Sequence, residues 1–143
     1  MINAGAYTAV DRVESEPALV EMVNAGAPLA FAKALKQSGG RMLQLSTDFV
    51  FSDDQGHPYR SEQQLNPLGV YGASKAAGEV AVQGLLGCEG RAVILRTSWL
   101  YGPVGSNFLL TMLRLHSQRA LAAEPLCVEA DQVGCPTATT GLS

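Results

Sequence analysis

Three short apolar stretches in this chain are each followed by small polar residues and then by a helix-period segment. They are Met1-Ile2, Arg41-Met42-Leu43-Gln44-Leu45 and Ala92-Val93-Ile94-Leu95. That alternation constrains the fold more than any other feature. Short strands separated by helices build a parallel α/β sheet, because a parallel strand can be reached only by a crossover. The first crossover spans 17–38, where Leu19, Val23, Ala27, Ala30 and Ala34 recur at helical spacing and Gly39-Gly40 ends the run. Pro28 interrupts it, so two helices, or a break near Asn24, fit as well as one. In the second, Asn66-Pro67 reads as an N-cap and first helical position, with a helix to about Leu86. Ala92 to Leu95 is the clearest candidate for a buried strand. A last helix is expected over 107–119 with Phe108, Met112 and Leu115 inward, then a short strand over 126–128.

Composition sets the class. The 143 residues are 47% hydrophobic and 16% charged, enough for a core and too apolar for disorder. A net charge of −3 leaves no basic footprint for nucleic acid. No unbroken apolar window reaches the roughly 18 residues of a membrane span, and no signal peptide is visible after Met1. The 3 cysteines, Cys88, Cys127 and Cys135, have neither an even count nor C-x-x-C spacing, so a reduced, cytoplasmic chain is expected. His57 and His116 stand far apart without carboxylate or thiol at ligand spacing, so neither suggests a metal.

A parallel sheet also dictates where chemistry belongs, since open α/β sheets bind ligands beyond the carboxyl ends of their strands. Residues 3–8, 46–48 and 97–99 all fall at such ends, beside a polar loop over 51–65. Val70-Tyr71-Gly72-Ala73-Ser74-Lys75 then sets a phenol and an ammonium four apart, on one helix face. A phenol ordinarily ionises near 10, and an adjacent ammonium together with the helix N-terminus would lower that value. Such a group could protonate a carbonyl oxygen while hydride reaches its carbon. Thr47 or Ser46 could add a hydroxyl toward the developing alkoxide. The bland alternative is an interfacial tyrosine beside a solvated lysine, and spacing by itself does not separate the two.

Longer motifs do. I-N-A-G-A-Y-T-A-V-D-R-V-E-S-E-P, L-S-T-D-F-V-F, V-Y-G-A-S-K-A-A-G-E, L-R-T-S-W-L-Y-G and D-Q-V-G-C-P-T occur in order along nearly the whole chain. Together they resemble the dTDP-4-dehydrorhamnose reductase family of the extended short-chain dehydrogenase/reductase superfamily. The resemblance implies a Rossmann-like doubly wound parallel sheet. It implies NADPH- or NADH-dependent reduction of the 4-keto group of a dTDP-linked 4-keto-6-deoxyhexose, giving dTDP-L-rhamnose. Tyr71 would be the general acid, Lys75 would lower its pKa and hold the nicotinamide ribose, and Thr47 would bond the sugar carbonyl. Ala4, Gly5, Ala6, Ser46, Thr97 and Ser98 would line the cofactor; Val10, Asp11, Asp48 and Trp99 would face the sugar nucleotide.

The resemblance also associates a magnesium ion with some members, although no cluster here would place it, and allows for a homodimer. Partners are otherwise expected to exclude nucleic acid and membrane. A superfamily epimerase or dehydratase is the alternative, and T-S-W with D-Q-V-G-C-P-T argues against it. A non-catalytic binding relative is a third option, against which stand Thr47, Tyr71 and Lys75. Gly5, Phe49, Ala130 and Cys135 replace residues more usual in the family: alanine, tyrosine, aspartate, and serine or alanine. The glycine-rich turn that receives a pyrophosphate is not found. The chain is therefore expected to be one partial NAD(P)-binding domain over 1–143, an internal fragment with the start of a substrate-binding part near its C-terminus. Cofactor binding by such a fragment alone would be weak.

Overall fold

The computed structural model describes residues 1–128 and 131–142; the side chains of Val10 and Asp11 lie outside the described residues, as does Ala130. It divides into two compact units, Met1–Arg96 and Thr97–Ser143.

The first unit carries a three-stranded sheet of order β1-β2-β3, from Ile2–Asn3, Met42–Thr47 and Ala92–Thr97. β1 runs parallel to β2, with Ile2 opposite Leu43 and Asn3 opposite Gln44. β2 is the buried strand, and β3 is not: Val93 is 57% exposed. The sequence pattern points the other way, toward Ala92 to Leu95. The order of the sheet explains the reversal, because β3 lies at an edge and β2 between two neighbours. Polar groups inside β2 are paired across the sheet, Asn3 Nδ2 donating to Gln44 Oε1 at 2.8 Å.

Between β1 and β2 the chain is helical with one irregularity. A short α1 (Val10–Val13) precedes α2 (Pro17–Glu21), a π-helical turn (Met22–Gly26) and α3 (Ala27–Ser38). The interruption expected near Asn24 is thus a π turn inside a continuous helix. Widened hydrogen bonding accommodates Pro28, which lacks an N–H, without a break. Gly39, at φ +76°, closes α3 in the left-handed region, and Arg91 satisfies its end by donating to Gly40 O at 2.9 Å and to Leu35 O. By length and composition the Pro17–Ser38 helix could cross a membrane. Here Val20, Asn24, Ala25, Pro28 and Ala32 are buried within the unit, as a core helix requires.

The second crossover ends in α4 (Val70–Leu86). It begins three residues after Pro67, with Gly69 at the N-cap and no side-chain cap, so Asn66-Pro67 is not its start. Instead the Asn66 N–H donates to Val50 O at 2.9 Å and closes the 51–65 loop. Ala32, Met42, Val82 and Leu86 form one core where α3 and α4 meet β2. Val50, Phe51 and Ala76 form a second, beneath the loop.

In the second unit β4 (Leu100–Tyr101) pairs in parallel with β5 (Thr137–Ala138). Residues 126–128 are not a strand; β5 lies later, after the D-Q-V-G-C-P-T loop. α5 (Phe108–Leu121) is capped by Asn107, whose Oδ1 accepts from Leu110 N at 3.0 Å. The expected inward stripe is only half covered: Met112 and Leu115 are partly buried and Phe108 is exposed.

Candidate active site

The parallel pairing of β1 and β2 opens the loops after Asn3 and Thr47 at the same sheet edge. Beyond β2, Asp48–Val50 forms a 3-10 turn whose first N–H is caught by the preceding threonine: Phe49 N donates to Thr47 Oγ1 at 3.2 Å. The Thr47 hydroxyl in turn donates to Asp48 Oδ1 at 3.1 Å.

α4 meets this turn at Tyr71. The phenol is hydrogen-bonded to Thr47. Its ring stands edge-on to Phe49, centroids 5.7 Å apart. Gly72 permits the approach, since a Cβ there would lie 2.1 Å from Phe49 O. One turn on, Lys75 is 5% exposed and its Nζ donates to Leu45 O at 2.8 Å. A further turn on, the buried Glu79 carboxylate is held by Arg96, with Nη2 to Oε2 at 2.6 Å. The small residues of V-Y-G-A-S-K-A-A-G-E therefore serve two close contacts. Gly72 admits the turn and Gly78 admits the π-helical segment, where a Cβ would lie 2.3 Å from Asn24 O.

The electrostatics correct one expectation. Burial pushes the Tyr71 phenol above its ordinary value, the Thr47 hydrogen bond pulls it down, and Asp48 pushes it up again. Lys75 is not among these causes, because its ammonium is committed to the Leu45 carbonyl. Burial lowers the Lys75 pKa, against the opposing pull of the Glu79 carboxylate. In this structure Tyr71 is an acid that keeps its proton, beside a buried lysine whose charge depends on its neighbours.

Of the residues singled out in the sequence, the first unit brings together Thr47, Asp48, Tyr71 and Lys75. Ser46 is buried at the end of β2, while Ala4 and Gly5 are exposed and Ala6 half-buried just after β1. Val10 and Asp11 sit in α1, with side chains outside the described residues. Thr97 ends β3, and Ser98 and Trp99 follow it within the second unit. There Trp99, at φ +49°, lies 5.4 Å from Phe108, ring to ring. Gly134 of D-Q-V-G-C-P-T packs on the Trp99 indole so tightly that a Cβ would meet its Nε1 at 2.5 Å. Among the described residues no three of His, Cys, Asp and Glu gather as a metal site, so magnesium has no candidate ligand set.

Asn24 escapes a reading of motifs alone. It is buried in the π turn, and its amide takes the Tyr7 N–H at 2.8 Å while donating to Tyr7 O at 3.2 Å and Ser74 Oγ at 3.1 Å. Ser74 Oγ donates on to Tyr71 O at 2.8 Å. One amide thus links the loop after β1 to the Tyr71 helix. The one signal available was a polar residue on the inner face of an otherwise apolar helix.

With this geometry established, comparison with known proteins places the chain. A family model described as the RmlD substrate binding domain matches residues 1–143. The chain belongs to that family. It is 44% identical over 143 residues to a dTDP-4-dehydrorhamnose reductase of Streptomyces griseus, matching 100% of this chain and 45% of that protein. The Salmonella typhimurium reductase is 43% identical over 137 residues, 96% of this chain and 44% of its own length. The chain thus spans about half the length of these curated relatives. Among solved structures, a Bacillus anthracis dTDP-4-dehydrorhamnose reductase in complex with NADP superposes with TM-score 0.89 at 40% identity, over 99% of this chain and 48% of that one. A dTDP-glucose 4,6-dehydratase of Streptomyces venezuelae, at 22% identity and TM-score 0.70 over 91% of this chain and 40% of its own, shares the fold alone. The fold is the Rossmann-like α/β arrangement of the reductases and dehydratases of this superfamily, as expected.

Proposed function

We propose that this chain carries the proton-transfer part of an NAD(P)H-dependent dTDP-4-dehydrorhamnose reductase, acting on the 4-keto group of a dTDP-linked 6-deoxyhexulose. One observation carries the reading: a half-buried phenol bonded to a strand-end threonine, one helical turn from a buried lysine. The two relatives and the NADP-bound neighbour support the substrate class and cofactor. The packing of Gly134 on Trp99, which joins D-Q-V-G-C-P-T to R-T-S-W, supports a reductase over an epimerase or dehydratase.

The residues present fit a nicotinamide nucleotide at the ribose end. Ala4, Gly5 and Ala6 offer only small side chains beside β1, and Tyr71 and Lys75 offer donors to ribose hydroxyls. When bound, the nicotinamide supplies the hydride. Tyr71 holds its proton at neutral pH and delivers it to the carbonyl oxygen, while Thr47 gives that oxygen a second donor. Proton loss leaves a phenolate in a partly buried place, so the Lys75 ammonium one turn away stabilises the state that follows transfer. We place the protein in the cytoplasm on its free, exposed cysteines Cys88, Cys127 and Cys135.

The test is shift mapping by NMR with NADPH on this chain and on a Tyr71→Phe/Lys75→Ala variant. The expected result is saturable shifts at Asn3 to Ala6, Ser46 to Asp48 and Tyr71 to Lys75, lost in the variant. Absent shifts from the folded chain, or shifts elsewhere, would overturn the assignment.

A further inference from the structure

The reading above leaves Arg96 without a role, yet its guanidinium is the most heavily used group in the first unit. Nε donates to Glu79 Oε1 at 3.0 Å and Nη2 to Oε2 at 2.6 Å, a two-pronged grip on a carboxylate only 3% exposed. Nη1 donates to Ser61 O at 2.8 Å, in the middle of the 51–65 loop. The flat face lies over the Phe51 ring, with Cζ 5.0 Å from its centroid. One side chain on β3 therefore joins α4 to two points of the loop.

The loop is built to respond. Phe51 and Tyr59 stack in parallel at 4.3 Å, and with Leu65 they pack against Val50 and Ala76. The Asn66-to-Val50 hydrogen bond shuts its base. Val50 is the last residue of the turn that puts Phe49 against Tyr71 and Gly72. Displacement of the loop is transmitted through Phe51 and Val50 to the turn, and through it to the Thr47–Tyr71 contact.

We propose that Arg96 is a positioning residue: by clamping the 51–65 loop onto Glu79 of α4, it holds the Asp48–Val50 turn, and Thr47 before it, in register with Tyr71. This rests on the functional reading of Tyr71 and Thr47, but it is tested without any ligand. Lysine cannot substitute. An ammonium is a point charge with no planar fork, so it cannot grip the Glu79 carboxylate at both oxygens while bonding Ser61 and stacking on Phe51.

The experiment compares the chain with Arg96→Lys and Arg96→Met, by amide exchange at Phe51, Gln63 and Asn66 and by the ring resonances of a 13C-labelled Tyr71. These three amides donate within or at the base of the loop, to Asp48, Arg60 and Val50 carbonyls respectively. In Arg96→Lys they should exchange about tenfold faster, the cost of losing a charge-assisted bond, while the amides of 82–86 in the α4 core keep their rates. The Tyr71 ring resonances should shift as Phe49 moves. Unchanged loop exchange with an unchanged Tyr71 spectrum in Arg96→Lys would overturn the proposal. So would exchange rising equally throughout the unit, which is the mark of plain destabilisation. If Arg96→Met unfolds, Arg96→Lys decides, since it leaves a cation for Glu79. NADPH shifts play no part in this readout, so failure here and failure of the reductase assignment are distinguishable.

Discussion

The two units solve the problem of stability differently. In Met1–Arg96 two apolar clusters are fully enclosed, and Val20, Val50, Val82 and Leu86 are sealed from solvent. In Thr97–Ser143 no described residue is buried, and α5 exposes Phe108, Leu109, Leu113 and Leu121. There the order comes from local bonds: the Asn107 cap, the β4–β5 pair and the Trp99–Phe108 contact. Most helical stability in proteins comes from burying one face, so a helix held chiefly by its caps opens first. The contrast teaches where rigidity has been placed. The helix bearing Tyr71 and Lys75 is the best buried in the molecule, and the segment with R-T-S-W and D-Q-V-G-C-P-T is held more lightly.

Paired truncations sharpen that contrast most. Leu86→Ala should cost about 2–5 kcal/mol, whereas Leu113→Ala should stay within about 0.5 kcal/mol, read as shifted urea midpoints. Equal losses would break the comparison. Trp99, the single tryptophan, reports fluorescence from the second unit, and far-ultraviolet dichroism weights the first. Next in size is Gly72→Ala, which drives a Cβ into the Phe49 carbonyl and should cost about 1–3 kcal/mol. Wild-type stability in that variant would show that the turn yields freely. Asn107→Ala should remove about 1 kcal/mol from α5, seen as faster exchange at Leu110 with the first unit unaffected.

The smallest effect is confined to alkaline solution. Because the folded phenol of Tyr71 ionises above its ordinary value of 10.0, it stabilises the fold fully below that pH. That contribution is lost as pH rises through the folded value. The stability difference between the chain and Tyr71→Phe should therefore be flat to pH 10 and then shift against the chain. A phenolate difference absorbance appearing below pH 10 would contradict this.

Much of this was legible in the residues. Alternating periodicities gave the α/β class, and Tyr71, Lys75 and Thr47 were singled out with their strand-end setting. What the sequence hid was context-dependent. Strand burial follows position in the sheet, so Ala92 to Leu95, the more apolar run, ended at an edge while Gln44 and Ser46 went inside. The proline at 67 suggested a helix start that the loop closure at Asn66 took instead. The direction of the Tyr71 shift depended on where the Lys75 ammonium points, which spacing cannot say. Arg96 and Asn24 carry no motif signal, since their partners lie 17 and 50 positions away in sequence.

The π turn at Met22–Gly26 has a consequence for how this chain tolerates change. Each residue of an α-helix advances the side chains by about 100° around the axis. A π turn accommodates one extra residue in a helix, so it sets the rotational phase of everything after it. Deleting a single residue between 22 and 26 would keep the segment helical and as apolar as before. Yet it would turn Pro28 and Ala32 away from their buried positions and bring neighbouring side chains such as Phe31 round in their place. Insertions and deletions here act as rotations of the rest of the helix, a penalty that no count of hydrophobic residues would register.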